Sequence, residues 1–339
     1  MHKFKTITNR INRKPKSTYN ILSFPTHEGY QTLLSKTGHN FILLDRGGES
    51  KSWDSRYREV PENFSIVNNC HDDLEIDFIL SNERFGQLQF ALELSMHYRL
   101  PIIHLEHVEP QIDRWDDSQF ESMKSIHGHT NVFITEHNKK SWESQDGIVV
   151  PHGVDSETFN GWSYPKNKKK YVLYVVNQLE GRDYFCGYSE WLQVKELVQS
   201  VRPDIEFVLV GDNPGISTTI SDEQELNSVF ANSLCYLNTT RLSPVPMSLL
   251  EAMSCGCPVI TTANQEVPRI INGNNGIASN DMDVLAKSII EVYDNQEWAE
   301  SLGKNARKTI KDEFSLNSFV NNWNNIFDQT YNMNVGKYL

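Results

Sequence analysis

Glu251, Arg182, His107 and Gly29 are the residues of this chain whose types and settings can do chemistry, and Glu251 has the most informative surroundings. Pro244 and Pro246 interrupt the chain, and Met247-Ser248-Leu249-Leu250-Glu251-Ala252-Met253 then reads as a short helix. The first turn of such a helix offers unpaired backbone N–H groups and the positive end of a helix dipole, a setting for a phosphate. Glu251 stands one turn further in, where a carboxylate can accept hydrogen bonds from a pair of hydroxyls. A phosphate-sized anion beside a diol describes a nucleotide sugar. Arg182 is the single cation of the loop 177–187, and a guanidinium grips phosphate oxygens bidentately. Gly29 opens a helix after a strand and lets backbone approach an anion, although a simple turn explains it equally well. His107 follows a strand, at the carboxyl end where open α/β sheets bind ligands. His104 and Glu106 are neighbours able to take that role, but alternation puts His107 with Leu105 on one side and Glu106 on the other.

Strands alternating with helices must position these groups. Asn20–Phe24, Asn40–Asp45, Asp77–Leu80, Pro101–Leu105, Asn131–Ile134 and Gly147–Val150 carry strand signals, with a helix near Tyr30 and another over Gln87–Tyr98. The polar stretch Ser163–Lys170 reads as a linker. A second series follows: the strands Tyr171–Val176, Ile205–Val210, Ala231–Asn238 and Pro258–Thr262, helices over residues 282–312, and a final helix from Ser315 to Tyr331. Alternation of this kind implies parallel sheets covered on both faces.

The run Leu250-Glu251-Ala252-Met253, then Gly256-Cys257-Pro258-Val259-Ile260 and Val267–Gly273, resembles the donor-binding segment of the family 4 retaining glycosyltransferases. The resemblance covers roughly residues 20–330. It implies the GT-B fold, α/β with two doubly wound Rossmann-like domains facing a cleft. The expected boundaries are a basic tail at 1–18, an acceptor-side domain at 19–162, a nucleotide-sugar domain at 163–314, and a terminal helix at 315–339 crossing back to the first domain. The resemblance also implies donor contacts at Gly29, Asn177, Arg182, Ser243, Pro246, Met247, Ser248, Leu249 and Glu251, with His107, Arg182 and Glu251 as the catalytic set. His107 would sit beside the transferred sugar and the acceptor. Two departures stand out. Ser243 occupies the place of the family's first glutamate, and Val176-Asn177 and Cys186-Gly187 occupy the usual places of the basic pair that neutralises pyrophosphate. Catalysis is expected to need no metal and no cofactor beyond the nucleoside-diphosphate sugar co-substrate, with a UDP-sugar as the foremost donor.

Composition sets the outer limits. The chain has 339 residues, enough for two ordinary domains, and 38% hydrophobic content is enough to build their cores. No apolar run approaches the ~18 residues needed to span a bilayer, and the N-terminus lacks the apolar stretch of a secretory signal. Five cysteines without metal or disulfide spacing fit a reduced cytoplasm, with a membrane-peripheral location left open. Seven of the eleven histidines fall between His97 and His152, yet none has recognisable metal-ligand spacing. Net charge is −12, but residues 1–20 carry six Lys/Arg and no acid. That segment is either a solvated end or a contact for an anionic surface. The family resemblance implies sugar transfer to a cell-surface glycan or glycolipid. The alternatives are a phage-type transferase acting on a modified DNA base such as 5-hydroxymethylcytosine, or a non-catalytic module binding sugar-nucleotide or glycan. An epimerase or phosphorylase of the same fold is a further rival.

Overall fold

The computed structural model describes residues 16–49, 51–70, 74–161 and 171–333. Most of the basic tail (residues 1–15) and the Ser163–Lys170 linker lie outside the described residues. Lys16, the one tail cation inside them, pairs with Asp77 at 2.9 Å.

Seven strands form the first sheet: β1 (Asn20–Ser23), β2 (Asn40–Leu44), β3 (Phe64–Val67), β4 (Phe78–Ser81), β5 (Ile102–Glu106), β6 (Thr130–Phe133) and β7 (Ile148–Val149). Their spatial order is β3-β2-β1-β4-β5-β6-β7, every pairing parallel. Helices α1 (Glu28–Ser35), α2 (Gln89–Tyr98), α3 (Asp117–Ser125) and α4 (Glu136–Ser141) lie between them in sequence. Ile21, Leu22, Ile79, Leu80, Ile102 and Ile103 are all fully buried, as a sheet covered on both faces requires. The strand order reverses between β1 and β4, and a polar network pins that crevice. Asn82 donates to Ser23 Oγ at 2.8 Å, and Gln87 donates to Thr26 Oγ1 at 2.9 Å.

The second sheet has β8 (Tyr171–Val175), β9 (Glu206–Val210), β10 (Cys235–Asn238), β11 (Val259–Thr261) and β12 (Ile277–Ala278), in the order β12-β11-β10-β8-β9 and again parallel. Its helices are α5 (Asp183–Cys186), α6 (Tyr188–Val201), α7 (Glu223–Asn232), α8 (Met247–Cys255), α9 (Val267–Ile270), α10 (Met282–Asp294) and α11 (Gln296–Glu313). Here the order reverses between β8 and β10, so the loops after those two strands frame the crevice. α8 starts directly after Pro246 and ends at Gly256, whose φ of 81° is the left-handed cap that glycine adopts without strain. Gly187 is a second positional requirement, because a Cβ there would lie 2.0 Å from the Thr239 carbonyl oxygen.

The last helix, α12 (Leu316–Tyr331), leaves the second domain and packs on the first. Trp323 donates to Tyr30 Oη at 3.0 Å, Tyr19 donates to Asp328 at 2.6 Å, and Phe327 lies against Phe41 and Phe78. Among the described residues no helix is long and apolar enough to cross a membrane.

Candidate active site

The loops after β8 and β10 enclose a cavity of about 190 Å³, lined by Asn177, Arg182, Phe185, Thr240, Ser243, Pro246 and Ser248. Arg182 is exposed at its edge, and among the described residues no carboxylate forms an ion pair with it. The nearby Arg241 is committed elsewhere, held by two bonds to Glu190 at 2.6 and 2.5 Å. Arg182 is therefore the cation left to meet an anion in this cavity, beside the positive end of α8. Other polar groups here are already engaged. Asn177 Oδ1 accepts from the Asp212 amide at 2.9 Å, tying the loop after β8 to the one after β9. Ser248 Oγ lies 2.7 Å from Tyr236 Oη and donates to the Val175 carbonyl at 3.1 Å.

Across the cleft, the loops after β1 and β5 present a group of rings. His107 lies 4.4 Å from His27 and 4.7 Å from Tyr30, centroid to centroid, and Tyr30 lies 5.3 Å from His152. Burial holds His107 well below the ordinary histidine range, and the charges that His27 and His152 would carry oppose its protonation further. His152 is brought down to about 4 by burial. His107 is thus a neutral imidazole at physiological pH, and its Nε2 is buried without a partner. The His27 ring keeps an exposed edge, yet it too is held low, first by the loss of water around it and then by the charges of Lys51 and Arg182. Arg182 is accordingly close enough to the first domain's rings to be felt there.

Beneath the rings, His104 and Glu106 belong to a sealed ion cluster. Glu106 accepts from Arg84 Nε at 2.5 Å and lies 3.3 Å from His104, all three almost wholly buried. Burial alone would raise the Glu106 carboxyl, but His104 and Arg84 outweigh it and hold the group below its usual range. Its other oxygen accepts the Val108 amide at 3.2 Å, so this cluster fixes the strand end on which His107 stands.

Glu251 faces a separate and much tighter space of about 20 Å³, shared with Gly29, Arg58, His152, Glu223 and Met247. Its carboxyl is pushed up to about 7, chiefly by burial, with Arg58 opposing the rise and Glu223 adding to it. Arg58 Nη2 lies 3.6 Å from Glu251 Oε1, and Arg58 Nε lies 3.2 Å from Glu223 Oε1.

Comparison with known proteins decides what this architecture belongs to. Residues 156–309 match the family model for glycosyl transferases group 1. The second domain is a group 1 glycosyltransferase domain. Among curated relatives, an uncharacterized glycosyltransferase of Methanocaldococcus jannaschii is 26% identical over 174 residues, covering 50% of this chain and 40% of the relative. The N-acetyl-alpha-D-glucosaminyl L-malate synthase of Bacillus anthracis is 24% identical over 221 residues, 58% of each chain. The chain thus spans about half the length of these relatives. Among solved structures, Anabaena HepE in complex with UDP and glucose superposes with a TM-score of 0.72 at 11% identity, covering 91% of this chain and 99% of that one. The fold is GT-B, as the sequence resemblance implied.

Within the glycosyltransferase domain, the residues singled out from sequence divide into two groups. Asn177, Arg182, Ser243, Pro246 and Ser248 surround the larger cavity, whereas Met247 and Glu251 join Gly29 of the first domain in the tighter one. Leu249 belongs to neither. It is fully buried and its amide already donates to the Pro246 carbonyl at 3.2 Å, so it offers a ligand neither side chain nor free N–H. Every residue of α8 from Leu249 to Cys255 is buried, and of these only Leu250 and Glu251 border a cavity. Gly29 is not sterically obligatory: a Cβ there would make ordinary 3.6 Å contact with Met247 Cε. Sequence reading passed over His27, His152, Lys51 and Arg58. His27 was within reach, standing two residues before Gly29 in the loop after β1. Arg58 lies in the irregular segment 51–60, which gives no local signal of what it faces.

Proposed function

We propose that this protein transfers a sugar from a nucleoside-diphosphate sugar to a hydroxyl of a glycan or glycolipid, with retention of anomeric configuration and without a metal ion. The observation that carries this reading is convergence on one cleft. Arg182 and the α8 N-terminus line a cavity on one side, His107 and His27 face them, and Glu251 lies one helical turn beyond. A UDP-sugar is the donor this reading favours, supported by the likeness in fold to HepE in complex with UDP and glucose.

In this scheme Glu251 holds the ribose diol, and the diphosphate rests against Arg182 and the first amides of α8. Breaking the glycosidic bond concentrates negative charge on the departing diphosphate. The guanidinium and the helix N-terminus stabilise that charge, so the catalytic contribution is mainly electrostatic. The acceptor enters from the first-domain side and attacks on the face from which the diphosphate leaves. His107, neutral and with an unpartnered Nε2, can hydrogen-bond a sugar hydroxyl without adding positive charge beside the anomeric carbon.

Incubation with a panel of UDP-sugars, in the presence of neutral glycans, glycolipid vesicles or 5-hydroxymethylated DNA, tests the reading. UDP release that depends on one acceptor class supports transfer and identifies that class. Tight UDP binding with no release on any acceptor would instead favour a binding module.

Two substitutions separate the roles. Arg182→Ala should weaken UDP binding roughly 10- to 100-fold, the loss of about 1.5–3 kcal/mol from a charge-assisted contact, while uridine binds as before. His107→Ala should lower kcat roughly 10- to 100-fold with UDP affinity unchanged, because the ring positions the sugar and acceptor rather than the nucleotide. Equal loss of uridine affinity in both variants, measured by calorimetry, would overturn this division.

A further inference from the structure

The segment 51–58 of the first domain crosses the cleft and grips the second domain beside Glu251. Its near end is anchored at home: the Asp54 amide donates to Glu28 at 3.2 Å, and Lys51 lies 3.4 Å from the same carboxylate. Trp53 donates to the Arg58 carbonyl at 2.8 Å, bracing the segment into a compact loop. The far end meets three acids of the second domain. Tyr57 Oη lies 3.4 Å from Asp212 Oδ2 and Arg56 3.8 Å from the same oxygen, while Arg58 reaches Glu223 at 3.2 Å and Glu251 at 3.6 Å. Arg58 is the committed member of this set, its side chain only 13% exposed against 64% for Arg56.

The consequence is steric as well as electrostatic. The space that Glu251 faces holds about 20 Å³, room for roughly one water molecule and far too little for a ribose. The larger cavity on the other side of α8 is open, so what is shut is the nucleoside end of the site. The group that shuts it is a cation on the very carboxylate that the diol needs.

We propose that segment 51–58 is a self-clasping strap, and that Arg58 must release Glu251 before the donor nucleoside can enter. This rests on the reading of Glu251 as the ribose ligand. The free protein then divides between a clasped, closed form and an unclasped form competent for donor, and the apparent affinity is lowered by the fraction that is unclasped. Arg58 is the release point. Asp212 and Glu223 keep the strap close, so that it can settle again over a bound nucleotide.

Arg58→Ala and Glu223→Gln open the clasp from opposite sides, and the second leaves Arg58 and Glu251 in place. UDP titrations should be run at pH 8.5, above the raised value of the Glu251 carboxyl in the parent protein. Both variants should bind UDP about tenfold more tightly than the parent protein, with the gain in the association rate. Amide hydrogen exchange in the ligand-free proteins supplies a readout independent of any nucleotide. Residues 51–60 and 212–223 should exchange at least several-fold faster in both variants. Weaker UDP binding in Arg58→Ala would make Arg58 a donor ligand and overturn the strap, as would unchanged exchange in either variant. Faster exchange in proteins that bind no nucleoside diphosphate, the parent included, would uphold the strap and overturn the donor-site assignment.

Discussion

Replacing Glu251 by alanine is expected to weaken UDP binding roughly 30- to 900-fold while leaving the protein folded. A carboxylate accepting two hydroxyl hydrogen bonds in a buried site contributes about 2–4 kcal/mol. The same side chain makes the loss depend on pH. Burial raises the Glu251 carboxyl to about 7, so the free protein keeps a proton that the ionised, diol-binding form lacks. Affinity for uridine, which carries no titrating phosphate, should therefore fall as pH drops through 7, and Glu251→Gln should flatten that profile. Stability moves in the opposite sense. Between pH 4.5 and about 7 the folded protein retains a proton that the unfolded chain releases, so raising pH across this window favours unfolding. Above pH 7 that penalty is complete, up to about 3 kcal/mol, and Glu251→Gln should melt higher than the parent there but alike at pH 4.5. A folded Glu251→Ala variant with unchanged UDP affinity would remove Glu251 from the donor site.

The second large effect is on stability. Trp323→Ala in α12 is expected to cost about 3–5 kcal/mol, the range for deleting a fully buried tryptophan. Trp323 is wholly buried between Phe319 and Phe327, and its indole N–H donates to Tyr30 Oη at 3.0 Å. Truncation opens a cavity and leaves the buried Tyr30 hydroxyl without that partner. Tyr30 also presents its edge to His107 at 4.7 Å, so turnover should suffer in whatever fraction stays folded. Trp323→Phe keeps most of the apolar area and should cost only about 1–2 kcal/mol. Urea unfolding followed by far-UV circular dichroism measures both. A Trp323→Ala unfolding free energy within about 1 kcal/mol of the parent would mean that α12 lies on the first domain without contributing to its core.

The elements with continuous apolar runs could be read directly from the sequence. Ile21-Leu22, Ile79-Leu80 and Ile102-Ile103 announce strands buried on both faces, and all prove fully buried. The edge strand β3 could not be read that way, because Ser65 and Ile66 are exposed and Phe64 alone turns fully inward. β12, two residues long and half-buried, carries even less signal. The α8 motif identified its helix through its punctuation, two prolines before and a glycine after. Motif spacing does not show which helix positions reach a cavity: Ser248 and Met247 border opposite ones and Leu249 neither. The strap was illegible for a different reason. Trp53-Asp54-Ser55-Arg56-Tyr57-Arg58 has no periodicity, and Arg58 acquires its meaning from Glu251, 193 positions later, once two domains face each other.

The aromatic seam between α12 and the first domain also bears on the order of events during synthesis. Tyr19 meets Asp328 across 309 positions, and Tyr30 meets Trp323 across 293. A ribosome that has finished the first domain's seven strands has yet to translate the helix that covers Tyr30, Phe41 and Phe78. Until then those rings stay open to water, and to chaperones, for the whole time the second domain is being made. At 5–20 residues per second, the roughly 170 intervening residues leave the first domain uncovered for about 10–30 s. The second domain, whose sheet is local to residues 171–278, can close before the first does. Maturation of this protein then runs against chain order, with the domain made first being the last to become watertight.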